Sequence, residues 1–386
     1  MTFRARPFFA FAAKLPRSLV ACSALGLLVA CSDEGTTDPI PTGPRGIVVL
    51  DGFIQPGLTL LSDTGSASTK LTFGPSTEFD AGGFTLENDT VLAVSSRGAG
   101  DLLYIADVRA GTVRKVQLPA ASNPGKARLL RNTVRGNVIG VALRDAGRIA
   151  LVEVAATAAA SVNFIENTGT CPTDVFQYNG ATWVVDANAN CRTNYAVLGD
   201  AHIIRIPNTG TARDTINLPG ARSSGVSVIV QGDVAYVSAG GVANFSTTPF
   251  TLVSPGSVTR VDLRNRQVLG QRMMPAGTYG ASTKLGGDGF LYVSLYESLA
   301  TFRNRTIKLR TDDLSIVSNG ASPYLSLTTA SGADAACGSA VADGLGRVHC
   351  LISSTGSVTS LVVFNPSGTE IRRVAAGQGG VDLALR

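Results

Sequence analysis

From residue 46 onward the chain reads as short runs in which apolar and polar positions alternate. The runs are rich in Val, Ile, Thr and Tyr and are broken by Gly, Asp and Asn. Alternation with a period of two marks strands whose side chains point to opposite sides, and the breakers mark turns. The stretch "GDLLYIADVRAGTVRKVQLP" (100–119) is the clearest unit: a turn, an aromatic and β-branched strand, a polar loop, a second alternating strand. Similar units begin at "GNVIGVALRDAGRIALVEV" (136–154), "GATWVVDANAN" (180–190), "GDVAYVSAGG" (232–241), "GDGFLYVSLYES" (287–298) and "GRVHCLISSTG" (346–356), with a divergent early copy in "GLTLLSDTGSASTKLTFG" (57–74). Asp262, Asp312, Asp313 and Asn365 open polar turns between strands. The Ala-rich stretch 153–164 interrupts the pattern, and Thr157, Ser161 and Val162 favour strand–turn–strand there over a helix.

Comparable core positions fall at Leu60, Tyr104, Ile139, Val184, Tyr236, Tyr292 and Leu351, spaced 35 to 59 residues apart. That spacing suits a four-stranded propeller blade with loop insertions in the later copies. A β-sandwich would not repeat at this period, and a β-helix would repeat near every ~20 residues. The expected fold is therefore an all-β propeller over residues 46–386, with seven four-stranded blades, six or eight being the neighbouring counts. "GIVVL" (46–50) and "GVDLALR" (380–386) are both strand-like, so one is expected to complete the other's blade. Tyr104-Ile105-Ala106-Asp107 and Tyr292-Val293 resemble the blade consensus of YVTN/NHL-type, WD40-like propeller repeats. The likeness spans most of 46–386.

The first thirty residues carry Arg4, Arg6, Lys14 and Arg17 and no acid. The apolar stretch that follows, Ser18 to Ala30, is thirteen residues long, too short for a membrane span of about 20 and the right length for the core of an export signal. Leu28-Val29-Ala30-Cys31 resembles the lipobox of bacterial lipoproteins. A second copy, Leu19-Val20-Ala21-Cys22, would leave an apolar patch at the mature terminus, so Cys31 is preferred. The resemblance implies a signal peptide over 1–30, a lipidated Cys31, and a tether over 31–45 holding the protein on a membrane in the bacterial cell envelope. Ser32 after the cysteine, rather than Asp, points by the same resemblance to the outer membrane.

The four basic leader residues account for most of the formal net charge of +5 and leave the rest of the chain at +1. No basic tract remains to track a phosphate backbone, which argues against nucleic acid as a partner. Charged residues make up only 16% while glycines number 43, a profile of strands and tight turns. Apart from the leader, Cys171, Cys191, Cys337 and Cys350 remain. An even number in an exported chain suggests disulfides, and four cysteines allow three pairings. The local pairs Cys171–Cys191 and Cys337–Cys350 are expected. Zinc would need closely spaced thiolates or adjacent histidines, and only His349 neighbours a cysteine.

No pattern identifies a reaction. Only two histidines are present, and His202 and His349 both lie in strand-like runs, which disfavours a Ser/His/Asp hydrolase. Asp186, Asn188 and Asn190 match the opening of a calcium loop, but Cys191 stands where the loop needs Gly and no acid closes it. A calcium site there thus rests on a partial match, and no cofactor is expected. Two long late loops, 238–256 and 294–306, carry Phe245, Phe250, Tyr296 and Phe302, with Arg303 and Arg305 beside them. Inserted loops are a usual place for recognition, though these are as well suited to fold back on their own blades. The leading reading is a monomeric binding or scaffold protein that meets an envelope protein or polysaccharide through these loops. The alternative is a metal-dependent lactonase or lyase-like enzyme drawing Asp107, Asp145, Asp186 and Asp288 to the axial mouth. If Cys31 is the lipid site, mass spectrometry of the mature protein finds that residue acylated, and the Cys31→Ala protein no longer sediments with membranes; a variant that still sediments would remove the anchor.

Overall fold

The computed structural model describes residues 46–386 apart from 53, 64–67, 96–100, 133–135, 155–159, 208–212, 318–320 and 354–357. The leader, Cys22, Cys31 and the tether lie outside the described residues. Among those described there are 31 strands and no helix, and no helix is long and apolar enough to cross a membrane. Seven antiparallel sheets form the blades of a β-propeller. Their inner strands, in ring order, are Gly380–Leu385, Ala81–Glu87, Pro124–Asn132, Pro172–Tyr178, Val226–Gln231, Tyr279–Leu285 and Ser339–Ala342, heading blades 1 to 7. Six sheets have four strands. The sixth has three, with a bridge from Leu309 to Ile316 where the fourth would run. The Ala-rich stretch resolves as two paired strands, Arg148–Glu153 and Ser161–Ile165, with 155–159 outside the described residues.

Both faces of each sheet are apolar because the strands alternate between two neighbours rather than between core and water. In Gly46–Asp51, Ile47 and Val49 pack toward blade 7 while Val48 and Leu50 pack toward blade 2. In Thr90–Ser95, Val91 and Ala93 face blade 1 while Leu92 and Val94 face blade 3. In Ala181–Asp186, Trp183 and Val185 join the interface with blade 5 and Val184 the one with blade 3. The outcome is seven buried apolar clusters, one at each boundary between blades. At roughly 25 cal/mol per Å² of apolar surface, no single four-stranded sheet could shield itself; the ring does it for all. Blade 1 closes the ring: the C-terminal strand pairs with the first one, from Ile47–Leu385 to Asp51–Gly380.

Each of the seven repeat markers falls in a different blade, but not at one position. Leu60 and Tyr104 lie on third strands and the other five on second strands. That change of strand explains the short gap between Tyr104 and Ile139. Both expected disulfides are present, Cys171–Cys191 with Cα atoms 5.5 Å apart and Cys337–Cys350 at 5.4 Å. Each closes a short loop, worth about 3 kcal/mol in the chain-entropy account.

The inner strands of blades 2, 3 and 4 approach backbone to backbone. A Cβ on Gly83 would lie 2.4 Å from the Gly125 carbonyl oxygen, and one on Gly125 would lie 2.4 Å from that of Thr173. Gly125→Ala is expected to force these strands apart and cost roughly 1–3 kcal/mol, read as a lower thermal midpoint; an unchanged midpoint would show slack that the close approach denies. Asp51, fully buried in blade 1, accepts a hydrogen bond from Thr59 Oγ1 at 2.7 Å, and its Oδ1 has no hydrogen-bond partner. Burial pushes its carboxyl from 3.8 up to about 6, against the opposing pull of Thr59 and Lys70. The folded state therefore holds the proton more tightly, and this group's penalty on stability grows as pH rises from about 4 to 6. Asp51→Asn should gain up to roughly 3 kcal/mol at pH 7 and little at pH 3.5 in urea unfolding; equal gains at both pH values would show that Asp51 ionises normally.

Candidate functional site

In every blade the strands alternate in direction, so the loops joining second to third strands share a face with the loops between blades. This face carries three insertions. Blade 4 adds a small hairpin, Ala189–Asn190 with Ala196–Val197, stapled by Cys191 to Cys171 at the entry of the inner strand. Blade 5 adds Val242–Asn244 with Thr251–Ser254, and blade 6 adds the turn 297–303. The loops are held by their own hydrogen bonds. Asn244 Oδ1 accepts from the Ser246 amide and hydroxyl at 3.0 and 2.6 Å; the amides of Glu297 and Phe302 donate to the carbonyls of Arg303 and Ser298 at 2.8 and 3.1 Å.

The insertions of blades 5 and 6 meet, and the four aromatic residues expected from the sequence come together with a fifth. Ring centroids run Tyr279–Phe245 5.6 Å, Phe245–Phe250 5.3 Å, Phe250–Phe302 6.1 Å and Phe302–Tyr296 5.4 Å, all edge to face at 71–82°. Tyr279 and Tyr296 form the half-buried ends. Phe245, Phe250 and Phe302 remain 49%, 42% and 39% exposed. The loops pack on each other across the blade boundary and still leave these rings facing solvent. Arg303 and Arg305 border the patch but spend their charge internally: both pair with Asp334, Arg303 at 3.1 Å.

The sequence reading missed the second feature, an axial channel lined by charged side chains of the inner strands. Two cavities of about 390 and 320 Å³ occupy it, and Lys126 and Phe84 line both. Arg128 makes a two-pronged contact with Asp174, Nε to Oδ1 at 3.1 Å and Nη2 to Oδ2 at 3.0 Å, and also donates to the Val228 carbonyl at 2.6 Å. The Val228 amide donates back to Asp174 at 3.0 Å, so one charge pair ties blades 3, 4 and 5. Lys284 Nζ lies 2.7 Å from Asp382, which also accepts from Ser339 Oγ at 2.8 Å, tying blades 6, 7 and 1. Burial opposes both carboxylates' charge, yet Arg128 and Lys284 hold Asp174 and Asp382 below the usual range. At the mouth away from the insertions, burial likewise works against Asp343, but hydrogen bonds from His349 and Arg347 hold it down to about 2. A charged residue inside an apolar first strand, as in "PGKARLL", "PTDVFQY", "STKLGG" and "GVDLALR", was the available signal.

The other sequence candidates are dispersed. Asp107 caps a turn by accepting from the amides of Arg109 and Ala110. Asp145 meets the Tyr195 hydroxyl at 3.2 Å on the insertion face. Asp288 binds Lys308 and the Tyr292 hydroxyl at 2.8 and 2.7 Å on the opposite face. None of these, nor Asp186, lines either axial cavity. Asp186 accepts from the Cys171 amide at 2.7 Å, with His202 at 3.6 Å; Asn188 donates to the Asp200 carbonyl at 3.1 Å; the Asn190 carbonyl accepts three amides of its own hairpin. The calcium-like stretch thus spends its polar atoms on holding the stapled loop. Among the described residues no three His, Cys, Asp or Glu side chains converge as a metal site would require.

No protein-family model and no curated protein matches the chain. Solved structures do. A Lactobacillus plantarum protein is similar with a TM-score of 0.58 at 14% identity, over 89% of this chain and 99% of the other. A Bacteroides fragilis protein provisionally named a 6-phosphogluconolactonase gives 0.55 at 14% identity, over 92% and 100%. Hydrazine synthase of Kuenenia stuttgartiensis gives 0.50 at 12% identity, over 78% and 88%. At such identities the likeness establishes the propeller fold.

Proposed function

We propose that the protein is a lipid-anchored propeller of the bacterial cell envelope that binds a partner protein through the aromatic surface between blades 5 and 6. The observation that carries this reading is the five-ring chain with three solvent-facing phenylalanines, held on hydrogen-bonded loops of a rigid ring. Aromatic anchors of this kind dominate protein interfaces. Their edge-to-face packing favours a protein over a polysaccharide: a sugar stacks on a flat ring face, whereas a herringbone cluster leaves clefts that take an apolar side chain. Arg303 and Arg305, balanced by Asp334 and Glu297, supply a polar border. The Leu-Val-Ala-Cys31 motif supports the anchor, with 31–45 as tether. The lactonase or lyase alternative gains no such support, because its four carboxylates sit apart, and names borne by proteins of the same fold do not transfer.

A photo-crosslinker in place of Phe302 is expected to capture one envelope protein, and one in place of Arg109, on the opposite face, is not. With that partner purified, Phe250→Ala should weaken binding roughly thirtyfold, as for an interface anchor, with unchanged folding. Equal capture from both positions, or equal affinity of the variant, would overturn the rim as the binding surface.

A further inference from the structure

We infer that the axial channel is a binding site for a small oxyanion, a carboxylate or phosphate group, seated at Lys126. The inference stands apart from the rim reading and survives its failure. Lys126, Arg128, Lys284 and Arg144 line its cavities; Asp382 lines one of them, and Asp174 and Asp382 are both near enough to act on Lys126. Asp174 is taken by Arg128 in the two-pronged contact and by two backbone amides. Asp382 is taken by Lys284 and Ser339. Asp343, at the far mouth, is taken by Arg347 and His349. No hydrogen bond or ion pair reaches the Lys126 ammonium from the described residues, although it lines both cavities and so stands at the waist between them. Arg144, on the insertion-bearing face, bonds only the neutral Asn123, to its carbonyl at 3.1 Å and its Oδ1 at 2.6 Å, and lies 5.9 Å from the Tyr195 ring. One route into the channel therefore leads past one cation without a carboxylate partner to another.

An ammonium enclosed in this way is costly. Burial lowers Lys126 to about 8, with Arg128 and Lys284 pushing the same way and Asp174 and Asp382 only partly offsetting them. A cation without a partner in a passage walled by protein is the complement of an incoming anion, because the low surrounding dielectric strengthens the attraction that bulk water would screen. The walls supply the rest of a small-molecule site. Phe84, Leu86, Ile229, Leu285 and Leu383 give apolar surface beside the polar groups, and about 390 Å³ falls at the lower end of the size of such pockets.

Calorimetric titration at low ionic strength with inorganic phosphate, and separately with malonate, tests the assignment. At least one should bind and raise the thermal midpoint; phosphate alone identifies a phosphoryl ligand, malonate alone a carboxylate. Lys126→Met should weaken binding by roughly tenfold or more, the loss expected for one charged hydrogen bond, while leaving the midpoint of the free protein unchanged or higher. In the unaltered protein, the bound anion should protect Lys126 from trinitrobenzenesulfonate, as read by peptide mass spectrometry. Arg264→Met, in the separate basic pocket with Arg205 and Arg266, should leave the affinity unchanged. Binding of neither anion, or affinity lost in Arg264→Met and kept in Lys126→Met, would overturn the site.

Discussion

Burial of both faces of every sheet is the constraint on which this molecule depends. A four-stranded sheet whose strands alternate Ile47/Val49 to one side and Val48/Leu50 to the other has no face to give to water. Only neighbours on both sides satisfy it, and only a closed ring leaves no sheet without a neighbour. The seven apolar clusters, one per boundary, are the direct expression of that demand.

The same constraint leaves the axis as the one place the apolar clusters do not fill. Inner strands of adjacent blades do not pair as a sheet, so polar side chains link them instead. Arg128–Asp174 and Lys284–Asp382 each span three blades, and Thr85 Oγ1 donates to the Ala127 carbonyl at 2.7 Å to join blades 2 and 3. Charges that would be out of place between blades are useful here, because they hold the wall and set the electrostatic character of the passage. The rim answers to different rules. Its loops are free of the blade's packing, so they can lengthen and carry aromatic side chains without disturbing the ring.

What the sequence made legible follows from this division. Alternation and recurring turns revealed the blades because the interfaces between blades impose them at every repeat. The closing strand was readable because "GVDLALR" obeys the same pattern. The disulfides were readable from an even number of cysteines set in two closely spaced pairs. The register of the repeat was less clear: second and third strands both carry a buried apolar centre, so Tyr104 and Ile139 look alike in sequence while occupying different strands. The aromatic residues of the late loops stood out as bulk in polar stretches, but their meeting depends on the blade 5 hairpin reaching across to blade 6. The channel was hidden for a simpler reason. Lys126, Arg128, Asp174, Lys284 and Asp382 are scattered over more than 250 residues, and only closure of the ring brings them to one axis.

Ring closure also has a consequence for how the chain matures. Gly46–Asp51 has its inner-side neighbour in Gly380–Leu385, so an early strand must wait for one of the last to emerge. Until then blades 1 and 7 each show an apolar flank and blade 1 an unpaired edge, the kind of surface that draws chains together. A protein built this way completes its fold only once its closing strand is available, and the interval before that strand pairs is when its apolar flanks are most open to association.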